Sequence, residues 1–255
     1  MRHEDARFER EVIEPWLASV SDLVGVVVIR NKRARTLARA RRELSRSGLF
    51  GFADVLAFRL YYRTVLADRE GEKIDELIES TRDKYPDVPD TVPRITVDDP
   101  NEEPTKEFLK EREADATIAR IKILLDSNVF SIPTEGTYVI HPGICPEYRN
   151  SHGCFWALAN GEPEKVGYTL LKIDDGIDTG PIFAQGTTSF DPVDDGHLYI
   201  QYKVVADNLD EIAQALKGAV SGARDQIDVS GRDSDVWGQP RLSEYLGWKR
   251  RAERW

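Results

Sequence analysis

Two cysteines in 255 residues, Cys145 and Cys154, are too few for a disulfide framework. A chain of this length, 40% apolar, holds a core that needs no covalent or metal staple. No charged segment followed by an apolar one opens the chain, so the expectation is a protein of the reducing cytoplasm with free thiols. Long apolar runs are missing as well. The nearest candidate, GLFGFADVLAFRLYY, carries Asp54 and Arg59 where a bilayer core penalises charge, and no membrane span is expected. Basic residues are in deficit: 35 Lys and Arg against 45 Asp and Glu leave a formal charge of −10. That balance argues against a general polyphosphate-binding surface, and so against nucleic acid as a partner, while leaving room for a local basic patch. Internal repeats and low-complexity linkers are absent too.

What is present alternates between two periodicities. Phe8, Val12, Ile13, Trp16 and Leu17 recur at helical spacing, and LVGVVVIR (23–30) follows as a β-branched run that suits a parallel strand buried on both faces. Residues 33–46, 47–66 and IDELIESTRDKY predict helices, RITVDD (94–99) a strand, and EPTKEFLKEREA a charged helix. DATIARIKILL and GTYVIHPG add two strands, CFWALANG a short helix ended by Gly161, VGYTLLKID and GPIFAQGTTSF two more strands, and 196–222 one long helix. This order predicts an α/β fold with an open, mostly parallel, doubly wound sheet over residues 1–225, and a tail, 226–255, that packs on the domain or extends it.

Chemistry concentrates in HPGICPEYRNSHGCFWALANG, where two histidines and two cysteines fall within fourteen residues behind the apolar run TYVI. In a doubly wound sheet, ligands sit beyond the carboxyl ends of the strands. His141 stands at such an end, and Asp178 lies in the glycine-flanked loop IDDGIDTGP after the next strand. A histidine beside a carboxylate is a competent acid/base pair, although a strand-end histidine also serves as a plain structural hydrogen-bonder. Asp174 and Asp175 read as turn formers. His141, Cys145, His152 and Cys154 form an alternative four-ligand zinc set, but H-x3-C-x6-H-x-C is not a usual paired-ligand spacing, and no metal is expected.

HPGICPEYRN, WALANG and VGYTLLKIDDGIDTGPI, in this order over about 136–186, resemble the formyltransferase family that uses 10-formyltetrahydrofolate, which includes methionyl-tRNA, glycinamide ribonucleotide and sugar-amine formyltransferases. The resemblance implies a Rossmann-like fold, with His141 as catalytic histidine and Asp178 as catalytic aspartate. Pro146, Tyr148 and Arg149 fall on the family's Pro-x-Tyr-Arg element, and with Asn150, Thr179 and Gly180 they would form the loops that bind substrate and folate. It implies formyl transfer to an amine, in which His141 meets the oxyanion and Asp178 holds the histidine and takes the amine's proton. Folate is expected between IKILLDSNVFSIP and IDDGIDTGP. The tail shows no sign of the β-barrel that methionyl-tRNA formyltransferases append, which favours a small-molecule amine, for example on a sugar. Hydrolysis of the formyl-folate and a binding module without catalysis are the alternatives.

Two departures stand out. Val139 occupies the position of the family's asparagine, so one oxyanion donor is absent, and His152 is the expected substitute. The family's opening strand is expected to be missing or truncated, because Met1 leads straight into a helical pattern. That expectation includes an apolar strand and glycine turn encoded upstream.

Overall fold

A computed structural model describes residues 1–30 and 33–254. Two sheets join into one twisted surface. β1 (Arg2–His3), β2 (Val26–Ile29) and β3 (Arg94–Val97) run parallel, with β2 in the middle. β4 (Ala116–Ile118) pairs in parallel with β5 (Gly136–His141), while β7 (Gly167–Lys172) and β8 (Ile182–Thr187) run antiparallel beyond it. Arg2 bridges to Arg120, just past β4, and closes the seam between the sheets. The sheet is therefore mixed, with its parallel half first. All four residues of β2 are buried, as a β-branched run covered on both faces requires.

An opening strand is present but only two residues long, so of the two expectations, missing or truncated, the structure shows the second. Arg2 and His3 pair with Val28 and Ile29, and Arg120 N–H donates to the Met1 carbonyl at 3.0 Å. It escapes an apolar-run search because both side chains are polar. Buried Arg2 is neutralised by Glu14, and His3 Nε2 accepts the Lys122 N–H at 3.0 Å.

Helices cover the sheet. A helical turn at Glu9–Ile13 leads into α1 (Glu14–Val20), and α2 (Arg33–Tyr61), interrupted at Gly48, continues through a wide turn at Tyr62–Leu66 into α3 (Ala67–Arg82). α4 (Glu103–Glu111) and the short α5 (Ser127–Phe130) flank β4 in sequence. The single helix expected over 196–222 is two, α7 (His197–Ala206) and α8 (Leu209–Val220). Asn208 separates them: its amide donates to the Val204 carbonyl at 2.8 Å, near the end of α7, and to the Thr187 carbonyl at 3.1 Å, at the end of β8.

The main core joins Phe8, Trp16, Ile140, Leu158, Leu170 and Val204. α6 (Gly153–Asn160) is buried over nearly its whole length. It is sealed by α9 (Leu242–Ala252), whose Trp248 is fully enclosed. Before α9, β9 (Val236–Trp237) pairs in parallel with β6 (Arg149–Asn150), so the tail contributes a strand as well as a helix.

Candidate active site

β5 ends on His141 at the carboxyl edge of the sheet, the side where α/β folds bind ligands. His141 is buried. Its Nε2 lies 2.9 Å from the Tyr148 carbonyl, which can only accept, so Nε2 carries a proton. Its Nδ1 faces Asp178 Oδ2 at 3.6 Å. His141 is the last residue of β5 and Asp178 lies in the loop after β7, and the chain from 142 to 148 curls back so that the Tyr148 carbonyl meets the ring. Gly143 and Gly153 make that curl possible: a β-carbon on Gly153 would stand 2.6 Å from the Gly143 α-carbon and 2.9 Å from the Tyr148 carbonyl.

Asp178 is fixed from its other side by the Asn150 N–H, which donates to Oδ2 at 2.8 Å. Asn150, His152 and Asp178 all have left-handed backbone conformations, with φ of 79°, 55° and 51°. Asparagine and aspartate tolerate that region, whereas histidine visits it less readily, and such residues cluster at functional sites. Arg149 Nη1 donates to the Ile177 carbonyl at 3.0 Å, tying the histidine loop to the aspartate loop. Within the latter, Thr179 Oγ1 donates to Asp174 Oδ1 at 2.7 Å, and Asp174 also accepts the Gly176 N–H at 2.9 Å. Gly180 is buried so close to the Lys172 carbonyl that a β-carbon has no room.

Pro146 and Tyr148 serve the loop from beneath. The Pro146 carbonyl accepts the Asp235 N–H at 3.2 Å. Tyr148 stacks on Trp237 with centroids 5.6 Å apart, and its hydroxyl bonds Glu162. Asn150 Nδ2 donates to the Trp237 carbonyl at 2.5 Å. Val139 shares a strand face with His141 but packs against Cys145, Leu171 and Ile182. Both thiols are free and buried, and burial pushes Cys154 up to about 12. Among the described residues no three metal-ligating side chains converge.

Several supporting residues have no motif to announce them. Thr169 Oγ1 donates to Gly143 O at 2.7 Å and accepts the Cys145 N–H at 3.0 Å. Gln185 Nε2 donates to Cys145 O, and Arg232 spans Gln185 Oε1 at 2.9 Å and the Glu147 carboxylate at 2.6 Å. These positions lie on β7, β8 and the tail, so only the fold gathers them under the loop.

His152 turns its ring toward α7, where Nδ1 meets Gln201 Nε2 at 3.3 Å and the ring lies 5.7 Å from His197. An amide nitrogen donates, so Nδ1 accepts and the His152 proton resides on Nε2. Burial first, and then His197, hold His152 well below the usual histidine range, and burial pulls His197 down to about 3. His197 is enclosed by Phe58, Tyr62 and Phe155, with Glu70 Oε2 4.0 Å away. An unfolded histidine titrates near ~6.5, so below that pH the unfolded chain binds protons the native one refuses. Stability is therefore expected to fall as pH drops from about 6.5 toward 3. Melting temperatures of the parent and His197→Phe across that window check this: the variant's slope should be shallower, and an equal slope places the acid sensitivity elsewhere.

A cavity of about 320 Å³ opens at the amino ends of β2 and β4, lined by Leu17, Val27, Phe108 and Leu216. It lies at the opposite edge of the sheet from the carboxyl end that carries His141.

The formyl transferase family model matches residues 99–209, from just after β3 to the start of α8. The methionyl-tRNA formyltransferase of Kosmotoga olearia is 44% identical over 81 residues, 31% of this chain and 25% of that protein. The Thermotoga maritima methionyl-tRNA formyltransferase is 37% identical over 102 residues, 40% of this chain and 32% of its own length. The matched region thus spans about a quarter to a third of these relatives. The crystal structure of phosphoribosylglycinamide formyltransferase from Anaplasma phagocytophilum shares the fold over 94% of this chain and 96% of that one, with a TM-score of 0.53 at 14% identity. The Streptococcus pneumoniae enzyme of the same name covers 85% and 96%, with a TM-score of 0.51 at 15% identity. Residues 99–209 of the chain are thus similar to the formyl transferase family, on a fold shared with these phosphoribosylglycinamide formyltransferases.

Proposed function

We propose that this chain moves the formyl group of 10-formyltetrahydrofolate to an amine on a small molecule, with amino sugars as the acceptor class, in the cytoplasm. The observation that carries this reading is the meeting of His141 Nδ1, at the end of β5, with Asp178 Oδ2, in the loop after β7, at 3.6 Å. With Nε2 committed to the Tyr148 carbonyl, Nδ1 is the position from which His141 addresses the substrate. A proton there, balanced by the Asp178 carboxylate, meets the oxyanion that forms when the amine attacks the formyl carbon. Asp178 takes the proton the amine loses, directly or through a water; as the tetrahedral intermediate collapses, the bond from the formyl carbon to the folate nitrogen breaks, and that nitrogen receives the proton as tetrahydrofolate leaves. His152 supplies a second donor from Nε2, because its Nδ1 already accepts from Gln201. Folate is placed between segment 121–133 and the Asp178 loop, where the exposed Leu124 offers its aromatic part an apolar surface. A charge of −10 favours a small acceptor over tRNA.

Following tetrahydrofolate release from the formyl donor, with and without a panel of amino-sugar nucleotides, tests the proposal. Amine-dependent release supports it, and release indifferent to the amine identifies a hydrolase. A donor-induced rise in melting temperature with no turnover favours a binding module, the reading that the apolar packing of Val139 supports.

On the catalytic reading, His152→Ala lowers the rate about a hundredfold or more, the usual loss for one oxyanion donor, while Val139→Asn changes little. On the binding-module reading, His152→Ala is silent and Val139→Asn creates or raises transfer. If neither substitution alters a detectable rate, His152 is not the donor.

A further inference from the structure

Gln201, buried on α7, belongs to no motif, yet its amide reaches the imidazole of His152. Its Nε2 lies 3.2 Å from the His197 carbonyl and 3.3 Å from His152 Nδ1. A carbonyl can only accept, so the amide atom facing it is the nitrogen, and one of its two hydrogens goes there. The other is left for His152 Nδ1, the bare nitrogen of the ring. Turning the amide over would set its oxygen against the carbonyl, two acceptors with no proton between them.

Both partners are held from behind. Glu70 Oε1, from α3, accepts the Leu198 N–H at 2.6 Å and the Tyr199 N–H at 2.8 Å, which places a carboxylate on the amino end of α7. That carboxylate packs directly on the backbone, since a β-carbon on Gly196 would stand 2.2 Å from the Glu70 carboxyl carbon. On the other side, His152 precedes α6, and its carbonyl accepts the Trp156 N–H at 3.1 Å. Burial keeps the His152 imidazole neutral at ordinary pH, and a neutral ring carries one proton.

We propose that Gln201 is a positioning residue that fixes this proton on His152 Nε2, which makes the ring a donor, never an acceptor, on the side away from Gln201. The inference deepens the proposed reaction and rests on it for its kinetic consequence: a donor-only nitrogen suits an oxyanion and offers nothing to a protonated amine.

Long-range 1H–15N spectra of the full chain, labelled at its four histidines, read the tautomer without any turnover. His152→Gln identifies the signal. In the parent, His152 should have Nε2 protonated and Nδ1 bare. Gln201→Glu presents a carboxylate that draws a proton onto Nδ1, and Gln201→Met removes the donor and should let the second tautomer appear. A parent ring protonated on Nδ1 overturns the proposal, as does a tautomer unchanged in both variants. In transfer assays Gln201→Met should slow the reaction by no more than about a hundredfold, the cost of one oxyanion donor, and add nothing to His152→Ala. Losses that multiply would show a separate role for Gln201 and overturn its action through the ring. If the spectra behave as expected while His152→Ala is silent or the chain transfers no formyl group, the reaction reading fails and the proton assignment stands.

Discussion

Asp178→Asn is expected to lower formyl transfer about a hundred- to ten-thousand-fold while leaving the fold in place, the range for loss of a positioned acid/base group. Asparagine is the informative replacement because Asp178 has a φ of 51°, which asparagine tolerates, and its side-chain oxygen can still accept the Asn150 N–H. Only the charge facing His141 Nδ1 is removed. His141→Ala should abolish turnover as well, at a larger cost in stability, since it strips the Tyr148 carbonyl of its buried donor, a loss of about 1–3 kcal/mol. The pair of measurements, turnover with the formyl donor and thermal midpoint, separates the two residues. Full activity in Asp178→Asn would remove the carboxylate from the mechanism.

Gly153→Ala is the second large effect. The added methyl would lie 2.6 Å from the Gly143 α-carbon, 2.9 Å from Tyr148 O and 3.0 Å from Pro142 O, and none of these backbone atoms can rotate away. Relief requires the loop under His141 to shift, at about 1–3 kcal/mol for such overpacking, or several degrees of melting temperature in a chain of this size. Because the Tyr148 carbonyl sets the orientation of His141, turnover is expected to fall by at least tenfold along with stability. Gly71→Ala is the matched control. Gly71 lies on α3 with open space where a β-carbon would go, so alanine there should leave activity unchanged and stabilise slightly. A Gly153→Ala protein as active as its parent would mean that the loop and the ring are not coupled.

Most strands were legible in the sequence because burial dictates composition: VVVI is apolar at every position a two-faced sheet covers, and YVI follows the same rule in β5. β1 was not, since Arg2 and His3 are polar, and their buried side chains find their partners in Glu14 and the Lys122 backbone, distant along the chain. The break between α7 and α8 was hidden for a related reason. Val205, Leu209, Ile212 and Leu216 keep the helical period across it, while the capping amide of Asn208 reads as an ordinary polar residue until Val204 and Thr187 are placed beside it.

The sequence by itself determined the chemistry on offer: a histidine at a strand end, an aspartate in the following glycine-flanked loop, and a Pro-x-Tyr-Arg turn between them, because motif residues lie close together along the chain. Only the tertiary structure decided their relations. It brought His141 within 3.6 Å of Asp178, turned His152 onto Gln201, and drew Arg232 and Trp237 from the tail under the loop. Spacing along a chain specifies which groups share one element, whereas contacts between elements depend on how sheet and helices pack, and that depends on the whole core at once.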